Sequence, residues 1–203
     1  MGIIILLIFI NLQENIFRIK EIINIISEVD INVSAPSMDN PDDKISKDVK
    51  NIIIGDSQVP WLDMNTSKAS RLSQSGGKSS LWEGGKSVSW LISSLSEYPV
   101  SPEIANVVIV IGTNGGFGKY TQDNIPKLFE SLRRTFPSAR FFAVQGSYGW
   151  GSLKDITEDD VRNYYSKFRA QGATVIEPPI GKVEPHGNKP VYAQIGKTLD
   201  SLL

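Results

Sequence analysis

Apolar residues in this chain fall either into short continuous runs or into stretches where they recur every three to four residues. Continuous apolar runs predict buried strands, and the three-to-four spacing predicts amphipathic helices. Strands buried along their whole length are typical of parallel sheets with helices on both faces. The pattern therefore predicts an α/β fold, a three-layer α/β/α sandwich around a mostly five-stranded parallel sheet. The predicted strands are residues 52–54, 81–82, 107–111, 140–145 and 173–176, and the predicted helices are residues 88–95, 124–136, 158–171 and 189–202.

Two of these predictions depend on local detail. Thr157 directly precedes the helix at 158–171, and its hydroxyl oxygen can accept from the first free amides, so we predict it as the N-cap. The strand at 81–82 is the weakest of the five, because Leu81 and Trp82 stand in a polar, turn-rich stretch.

The first 35 residues differ from the rest of the chain. Residues 3–10 are a run of eight apolar residues, whereas a membrane-spanning helix needs about 20, so we do not expect a span. No basic residue precedes this run, as one would in a signal peptide. Apolar positions between Leu12 and Ile26 then predict an amphipathic helix. This helix packs on its own domain, associates with other copies or attaches the protein to a partner; the sequence leaves all three open.

The length of 203 residues suits one α/β domain with an appendage, and is too short for two ordinary domains. Residues 36–47 contain two prolines and several Asp and Ser residues, which indicates a linker. We therefore predict an N-terminal helical appendage at 1–35, a linker at 36–47 and the α/β domain at 48–203.

Composition removes several function classes. The formal net charge is −1, so no basic surface is expected to attract nucleic acid. The chain has no cysteine, which excludes disulfides, thiol nucleophiles and thiolate metal sites and leaves the compartment open. No metal or cofactor is expected.

Two Gly-Gly-Lys-Ser strings, at 76–79 and 84–87, invite comparison with phosphate-binding loops. A P-loop needs another glycine five residues before its Gly-Lys pair. Leu72 and Ser80 occupy those positions, so neither string fits and nucleotide binding is not expected.

Three chemically useful residues follow predicted strands. Ser57 ends a Gly-Asp-Ser sequence after the strand at 52–54, and Asn114 follows the strand at 107–111. His186, the single histidine of the chain, lies in a loop before the last helix. The carboxyl ends of parallel strands share one edge of a sheet, so an imidazole there could take the proton of a serine hydroxyl.

The ordered set of Gly55-Asp56-Ser57, Gly84-Gly85-Lys86-Ser87, Gly112-Thr113-Asn114 and His186 resembles the SGNH (GDSL-type) hydrolase family over about residues 50–203. Residues 186–193 are also similar to the family's closing His-Pro-Asn-x-x-Gly-Tyr-Ala stretch. The resemblance implies a flavodoxin-like SGNH sandwich and a cofactor-free serine esterase. It implies Ser57 as nucleophile, His186 as base, and an oxyanion hole made by the Ser57 and Gly85 amides and the Asn114 side chain.

The sequence departs from the family next to the histidine. The family usually has Asp three residues before it, where this chain has Val183. Glu184 is the nearest carboxylate, and we predict that it orients the imidazole from a differently shaped loop. Without such a partner a backbone carbonyl must hold the imidazole, and a misoriented ring would leave a weak or inactive enzyme. A second departure, Gly115 after Asn114, should affect the loop more than the chemistry.

Aromatic residues in glycine-rich loops are predicted to bind substrate. Tyr148 and Trp150 follow the strand at 140–145, and Phe117 lies in a Gly-Gly-Phe-Gly turn. These rings either stack on a ligand or fill the core. Polar, aromatic loops favour an O-acetylated carbohydrate over a lipid or thioester. The alternative to an esterase is a non-catalytic binding or structural module, mounted in an assembly through residues 1–35.

Overall fold

The computed structural model describes residues 50–72, 80–178, 182, 184, 186 and 188–203. The predictions for the appendage at 1–35 and the linker at 36–47 lie outside these residues. Within the described part of the chain, no helix is both long and apolar enough to cross a membrane.

Five parallel strands form one sheet in the spatial order β2-β1-β3-β4-β5, the flavodoxin-like order. The strands are β1 (Asn51–Gly55), β2 (Ser70–Arg71), β3 (Asn106–Val110), β4 (Arg140–Val144) and β5 (Thr174–Ile176). The three central strands, β1, β3 and β4, lie in apolar runs of the sequence. They also have the longest pairings, because β1 and β3 pair along five residues and β4 pairs with β3 along four. The predicted α/β class and parallel five-stranded sheet are confirmed.

The fifth strand is not the predicted one. Leu81 and Trp82 form no strand, and Trp82 makes only an isolated parallel bridge to Gly55. The edge position beside β1 is taken by β2, whose two residues pair with Ile52 and Ile53. An edge strand this short needs no apolar run, because only one of its sides joins the sheet, so its sequence carries no strand signal.

Helices cover both faces of the sheet. They are α1 (Val59–Asp63), α2 (Val88–Glu97), α3 (Lys119–Asp123), α4 (Ile125–Thr135), α5 (Glu158–Ala170) and α6 (Lys189–Leu202), with a 3-10 turn at Gly151–Leu153. Ile52 and Ile54 join an apolar cluster with α2, α4 and α5, whereas Ile53 joins a second cluster with α1 and α6. Alternate residues of β1 thus enter opposite layers, which confirms the three-layer sandwich.

The predicted N-cap of α5 is confirmed. The Thr157 hydroxyl accepts from the Asp160 amide at 3.2 Å, and the Asp160 carboxylate accepts from the Thr157 amide at 2.9 Å. This capping box satisfies two amides that the helix leaves free. The sequence did not indicate α1 and α3, because each has only five residues, too few for a clear periodicity.

Candidate active site

The predicted site residues lie at the carboxyl edge of the sheet. Ser57 follows β1 by two residues, Asn114 follows β3 by four, and His186 lies between β5 and α6. In a parallel sheet these positions share one edge, where ligands collect in open α/β folds.

Gly55 fixes how the chain leaves β1. Its φ is +140°, and a Cβ there would lie 1.9 Å from the carbonyl oxygen of Val110. The next amide, that of Asp56, donates to the same oxygen at 2.9 Å. On the other side, the Gly55 amide donates to Leu81 O at 2.9 Å and its carbonyl accepts from the Glu83 amide at 3.1 Å. Only glycine combines this φ with so close an approach of β3.

Ser57, His186 and Glu184 form a hydrogen-bonded series. Ser57 Oγ lies 2.9 Å from Nε2 of His186, and His186 Nδ1 lies 2.6 Å from Oε1 of Glu184. An ionised carboxylate can only accept, so Nδ1 carries the ring proton and Nε2 is free to accept from the serine hydroxyl. The structure therefore brings together the three residues that the sequence predicted as catalytic.

Glu184 reaches the imidazole over a short distance in sequence. The same Oε1 atom also accepts from the backbone amide of His186 at 2.9 Å. Two hydrogen bonds to one oxygen fix the carboxylate beside the ring edge. The side chains of His186 and Glu184 are 37% and 46% exposed, so water screens their charges and the pair acts mainly by orienting the ring. Val183, the family's Asp position, lies outside the described residues.

A buried carboxylate precedes Ser57 in the chain. Asp56 is 0% exposed, and its Oδ2 accepts from the Asn114 amide nitrogen Nδ2 at 3.3 Å. Its Oδ1 accepts from the Gln58 backbone amide at 3.0 Å and from Gln58 Nε2 at 3.4 Å. Burial raises the pKa of Asp56 to about 7, although the hydrogen bonds from Gln58 and Asn114 favour the charged form and oppose that rise.

Gln58 connects this network to the end of β3 and to α6. Its Nε2 also donates to the Thr113 hydroxyl at 3.1 Å, and its Oε1 accepts from the Tyr192 hydroxyl at 3.4 Å. The residues on either side of Ser57 are thereby tied to the end of β3 and to α6. A polar network whose members are all paired holds one geometry.

Gly84 is the glycine next to Ser57. A Cβ on Gly84 would lie 3.7 Å from Cβ of Ser57, whereas a Cβ on Gly85 would meet nothing within 4 Å. Gly85 has a φ of +74°, which glycine adopts without strain in a turn. The wall beside Ser57 is therefore Gly84, and the predicted oxyanion residue Gly85 follows it in the turn.

Solved structures with similar folds share little sequence identity with this chain. A Streptococcus pneumonia protein, provisionally described as a platelet activating factor, has a TM-score of 0.59 and 14% identity, over 80% of this chain and 86% of that one. A lipolytic protein G-D-S-L family member from Veillonella parvula DSM 2008 has a TM-score of 0.54 and 16% identity, over 75% and 96%. A carbohydrate esterase family 2 enzyme with a carbohydrate binding domain, from Corynascus thermopiles, has a TM-score of 0.55 and 17% identity. The match covers 78% of this chain and 66% of that one.

The chain has an SGNH-hydrolase-like fold. At these identities the likeness establishes the fold alone. No protein-family model matches the sequence, and no curated protein matches it.

One of the predicted aromatic residues, Trp150, borders the loop that carries His186. The rings of Trp150 and His186 meet edge to face, with centroids 6.0 Å apart and planes at 86°. Trp150 Nε1 donates to the Ser147 hydroxyl at 3.0 Å, which anchors the indole. A Cβ on Gly149 would lie 2.4 Å from Cγ of Lys182, so the stem of Lys182 lies across that glycine. The loop after β4 thus contacts the histidine loop at two points.

The other two predicted substrate-binding rings require a correction. Phe117 is 1% exposed and packs edge-on against Tyr164, with ring centroids 5.3 Å apart. Tyr148 is also buried and belongs to the apolar cluster between the sheet and α2, α4 and α5. In both cases the large apolar surface is buried in the core, so neither ring offers a face to a ligand.

Sequence reasoning missed the residues that support the site in this SGNH-like fold. Asp56, Gln58 and Thr113 are all buried and polar, and each stands within two residues of a predicted site residue. The available signal was Asp56, a charged residue directly after an apolar strand and a glycine. Among the residues that the structure describes, no group of three or more His, Cys, Asp or Glu side chains could hold a metal ion.

Proposed function

We propose that this protein is a serine esterase that uses Ser57 as nucleophile and His186 as general base. The observation that carries the proposal is the continuous series from Ser57 Oγ through both ring nitrogens of His186 to Glu184, at 2.9 Å and 2.6 Å. Both distances lie within the range for proton transfer between a nucleophile, a base and an orienting carboxylate.

The reaction follows from this geometry. Nε2 of His186 removes the hydroxyl proton as Ser57 Oγ forms a bond to the ester carbonyl carbon. The tetrahedral intermediate collapses, the ester C–O bond breaks, and the imidazolium gives its proton to the leaving alkoxide. A water molecule, deprotonated by His186, then attacks the acyl-serine, releases the carboxylic acid and restores Ser57.

Developing charge on the carbonyl oxygen needs hydrogen-bond donors. We assign this role to the backbone amides of Ser57 and Gly85 and to the side-chain amide of Asn114, with Gly84 forming the wall beside the serine. Gly84 has no side chain to obstruct a substrate carbonyl, and Asn114 Nδ2 is already held at this edge by Asp56. Each such donor contributes about 100- to 1000-fold to the rate.

We infer that the substrate is a short acyl ester, and favour an O-acetylated carbohydrate. Trp150 is half-buried and lies against His186, where its ring face could stack on a sugar. Two structural neighbours point to different substrates: one is a carbohydrate esterase family 2 enzyme and another is a lipolytic family member. A lipase or thioesterase is therefore the alternative.

The experiment compares hydrolysis of p-nitrophenyl acetate and p-nitrophenyl octanoate by the full chain, Ser57→Ala and Ser96→Ala. Ser96 is a matched control, because its exposed hydroxyl only donates to the carbonyl of Ser93 in its own helix. We expect Ser57→Ala to abolish turnover, Ser96→Ala to retain it, and acetate to be preferred over octanoate.

Faster hydrolysis of the octanoate ester than of the acetate ester would support the alternative, a lipase. Equal turnover by Ser57→Ala and the wild type would contradict the proposed nucleophile. Absence of turnover on both esters and on acetylated oligosaccharides would favour a non-catalytic module.

A further inference from the structure

Asp56 lies between two parts of the proposed catalytic site without belonging to either. It precedes the nucleophile in sequence and contacts the oxyanion donor in space. Its two oxygens accept three donors, namely the Asn114 amide at 3.3 Å and the Gln58 backbone and side-chain amides at 3.0 and 3.4 Å. The side chain is completely buried, so no solvent contact replaces these partners.

The contact with Asn114 has a consequence for the orientation of its amide. A side-chain amide presents an NH₂ group on one side and an oxygen on the other, and the two orientations occupy nearly the same space. A carboxylate on one side selects the NH₂ group, because it can only accept. With one N–H held by Asp56, the second N–H of Nδ2 is available to a substrate oxyanion.

We propose that Asp56 is a positioning residue that holds the Asn114 amide in the orientation that donates to the oxyanion. This inference rests on the proposed esterase function. The carboxylate acts through Asn114 and touches no reacting atom. Its second oxygen, held by Gln58, keeps the carboxylate plane fixed while the first oxygen serves Asn114.

A neutral group at position 56 reverses the contact. An amide has one accepting oxygen, which the two donors of Gln58 occupy, and an NH₂ group, which would face Asn114. A protonated carboxyl likewise carries an O–H donor on one of its oxygens, and that donor would face Asn114. Asn114 would then turn its oxygen towards position 56 and withdraw its NH₂ group. The oxyanion hole would lose one donor, at a cost of about 100- to 1000-fold in rate.

Protonation of Asp56 should have the same effect. Its pKa is raised to about 7 by burial, so the carboxylate that Asn114 needs forms as the pH rises through neutrality. The titratable groups facing it are phenols: Tyr192 on α6, and Tyr164 and Tyr165 on α5, each with its pKa raised by burial first and by Asp56 in addition. These phenols stay neutral in this range and do not supply the transition.

The test is a double-mutant cycle on the full chain, with p-nitrophenyl acetate at pH 8.5. We expect Asp56→Asn and Asn114→Ala each to lower kcat/KM about 100- to 1000-fold, and the double variant to be no worse than Asn114→Ala alone. Asp200→Asn is the matched control. Asp200 also accepts several hydrogen bonds, from Ser67 and Lys68 near the far end of α6, and this variant should stay within about 2-fold of wild type.

Losses that multiply in the double variant would overturn the inference and leave the esterase intact. A wild type without turnover on p-nitrophenyl esters and on acetylated oligosaccharides would overturn both. A second measurement needs no change at Asp56. In the pH profile of kcat/KM, the acid limb of wild type should include a component near pH 7, from Asp56, that Asn114→Ala lacks. Identical acid limbs in the two proteins would contradict the inference even if Asp56→Asn fails to fold.

Discussion

At the scale of single residues, the site depends on how one glutamate reaches its histidine. Oε1 of Glu184 accepts from both the backbone amide and Nδ1 of His186, two residues later in the chain. We expect this local contact to orient the imidazole, the role that the resemblance assigns to a carboxylate three residues before the histidine. The imidazole orientation is therefore determined within a very short segment.

Glu184→Gln should weaken the orientation of the His186 ring without abolishing it. A glutamine can both accept from and donate to Nδ1, so part of the protein would hold its proton on Nε2, the tautomer that cannot accept from Ser57. We expect kcat/KM to fall by between about 10-fold and about 10⁴-fold, the loss that follows neutralisation of a triad carboxylate.

The single histidine makes this prediction directly measurable, because the ring nitrogen shifts of His186 are unambiguous in an NMR spectrum. The proton should lie on Nδ1 in wild type and be shared between both nitrogens in Glu184→Gln. Glu177→Gln is the control, since Glu177 pairs with Arg169 elsewhere on the surface. Unchanged ring shifts and activity in Glu184→Gln would show that the carboxylate does not orient the imidazole.

The sequence indicated which residues come together at the sheet edge. Ser57 contacts His186, His186 contacts Glu184, and Asn114 contacts Asp56 beside Ser57, whereas the catalytic roles of these residues stay predictions. The support by Asp56 was not predicted, because the partner of a buried carboxylate depends on side-chain contacts that no spacing reports. Phe117 was misplaced for a related reason: an aromatic residue in a glycine-rich turn looks the same in sequence whether its ring faces the core or a ligand.

At the scale of elements, the end of β1 is the part on which the site is built. Three backbone hydrogen bonds hold the end of this strand. The Asp56 amide donates to Val110 of β3 on one side, and Gly55 exchanges two bonds with Leu81 and Glu83 on the other. This arrangement brings Gly84 beside Ser57 and brings the β3 end, with Asn114, beside Asp56. A shift of β1 would separate all of these groups at once.

Gly55→Ala should therefore destabilise the protein strongly. The new Cβ would lie 1.9 Å from a backbone oxygen of β3, and its φ of +140° is open to almost no other residue. We expect a loss of about 3 kcal/mol or more in the free energy of unfolding, measured by urea denaturation.

Gly172→Ala separates the two causes. Gly172 also has a positive φ, +86°, but a Cβ there would meet nothing within 4 Å. This variant should lose only about 1–2 kcal/mol, the cost of the backbone conformation alone. Equal losses at the two positions would mean that the contact with β3 is not what restricts Gly55.

The sequence predicted the elements that have a clear pattern of apolar residues. These are the long helices and the four strands in apolar runs, because an element with one or two buried faces needs apolar residues at regular positions. The edge strand β2 escaped, since two residues supported by a single neighbour need no such pattern. Leu81 and Trp82 are apolar for another reason, because their side chains pack in the core. The carbonyl of Leu81 accepts a hydrogen bond from the Gly55 amide.

At the scale of the whole domain, the sheet order decides what the loops can do together. In the order β2-β1-β3-β4-β5, β1 and β3 are neighbours, so the strand ends that carry Ser57 and Asn114 are adjacent. His186 lies 129 residues after Ser57 in the sequence. The helix that follows His186, α6, packs in the same apolar cluster as α1, the helix that follows Ser57. The sequence indicated this topology through the order of its motifs.

If Ser57 is the nucleophile that we propose, it should react directly with a fluorophosphonate. Labelling of the full chain, followed by mass spectrometry of its peptides, measures this reaction. The serine oxygen would bond to phosphorus and release fluoride. We predict one adduct per chain, on Ser57, with labelling strongly slowed in His186→Ala. No adduct on Ser57, or equal labelling of the His186→Ala variant, would contradict the account.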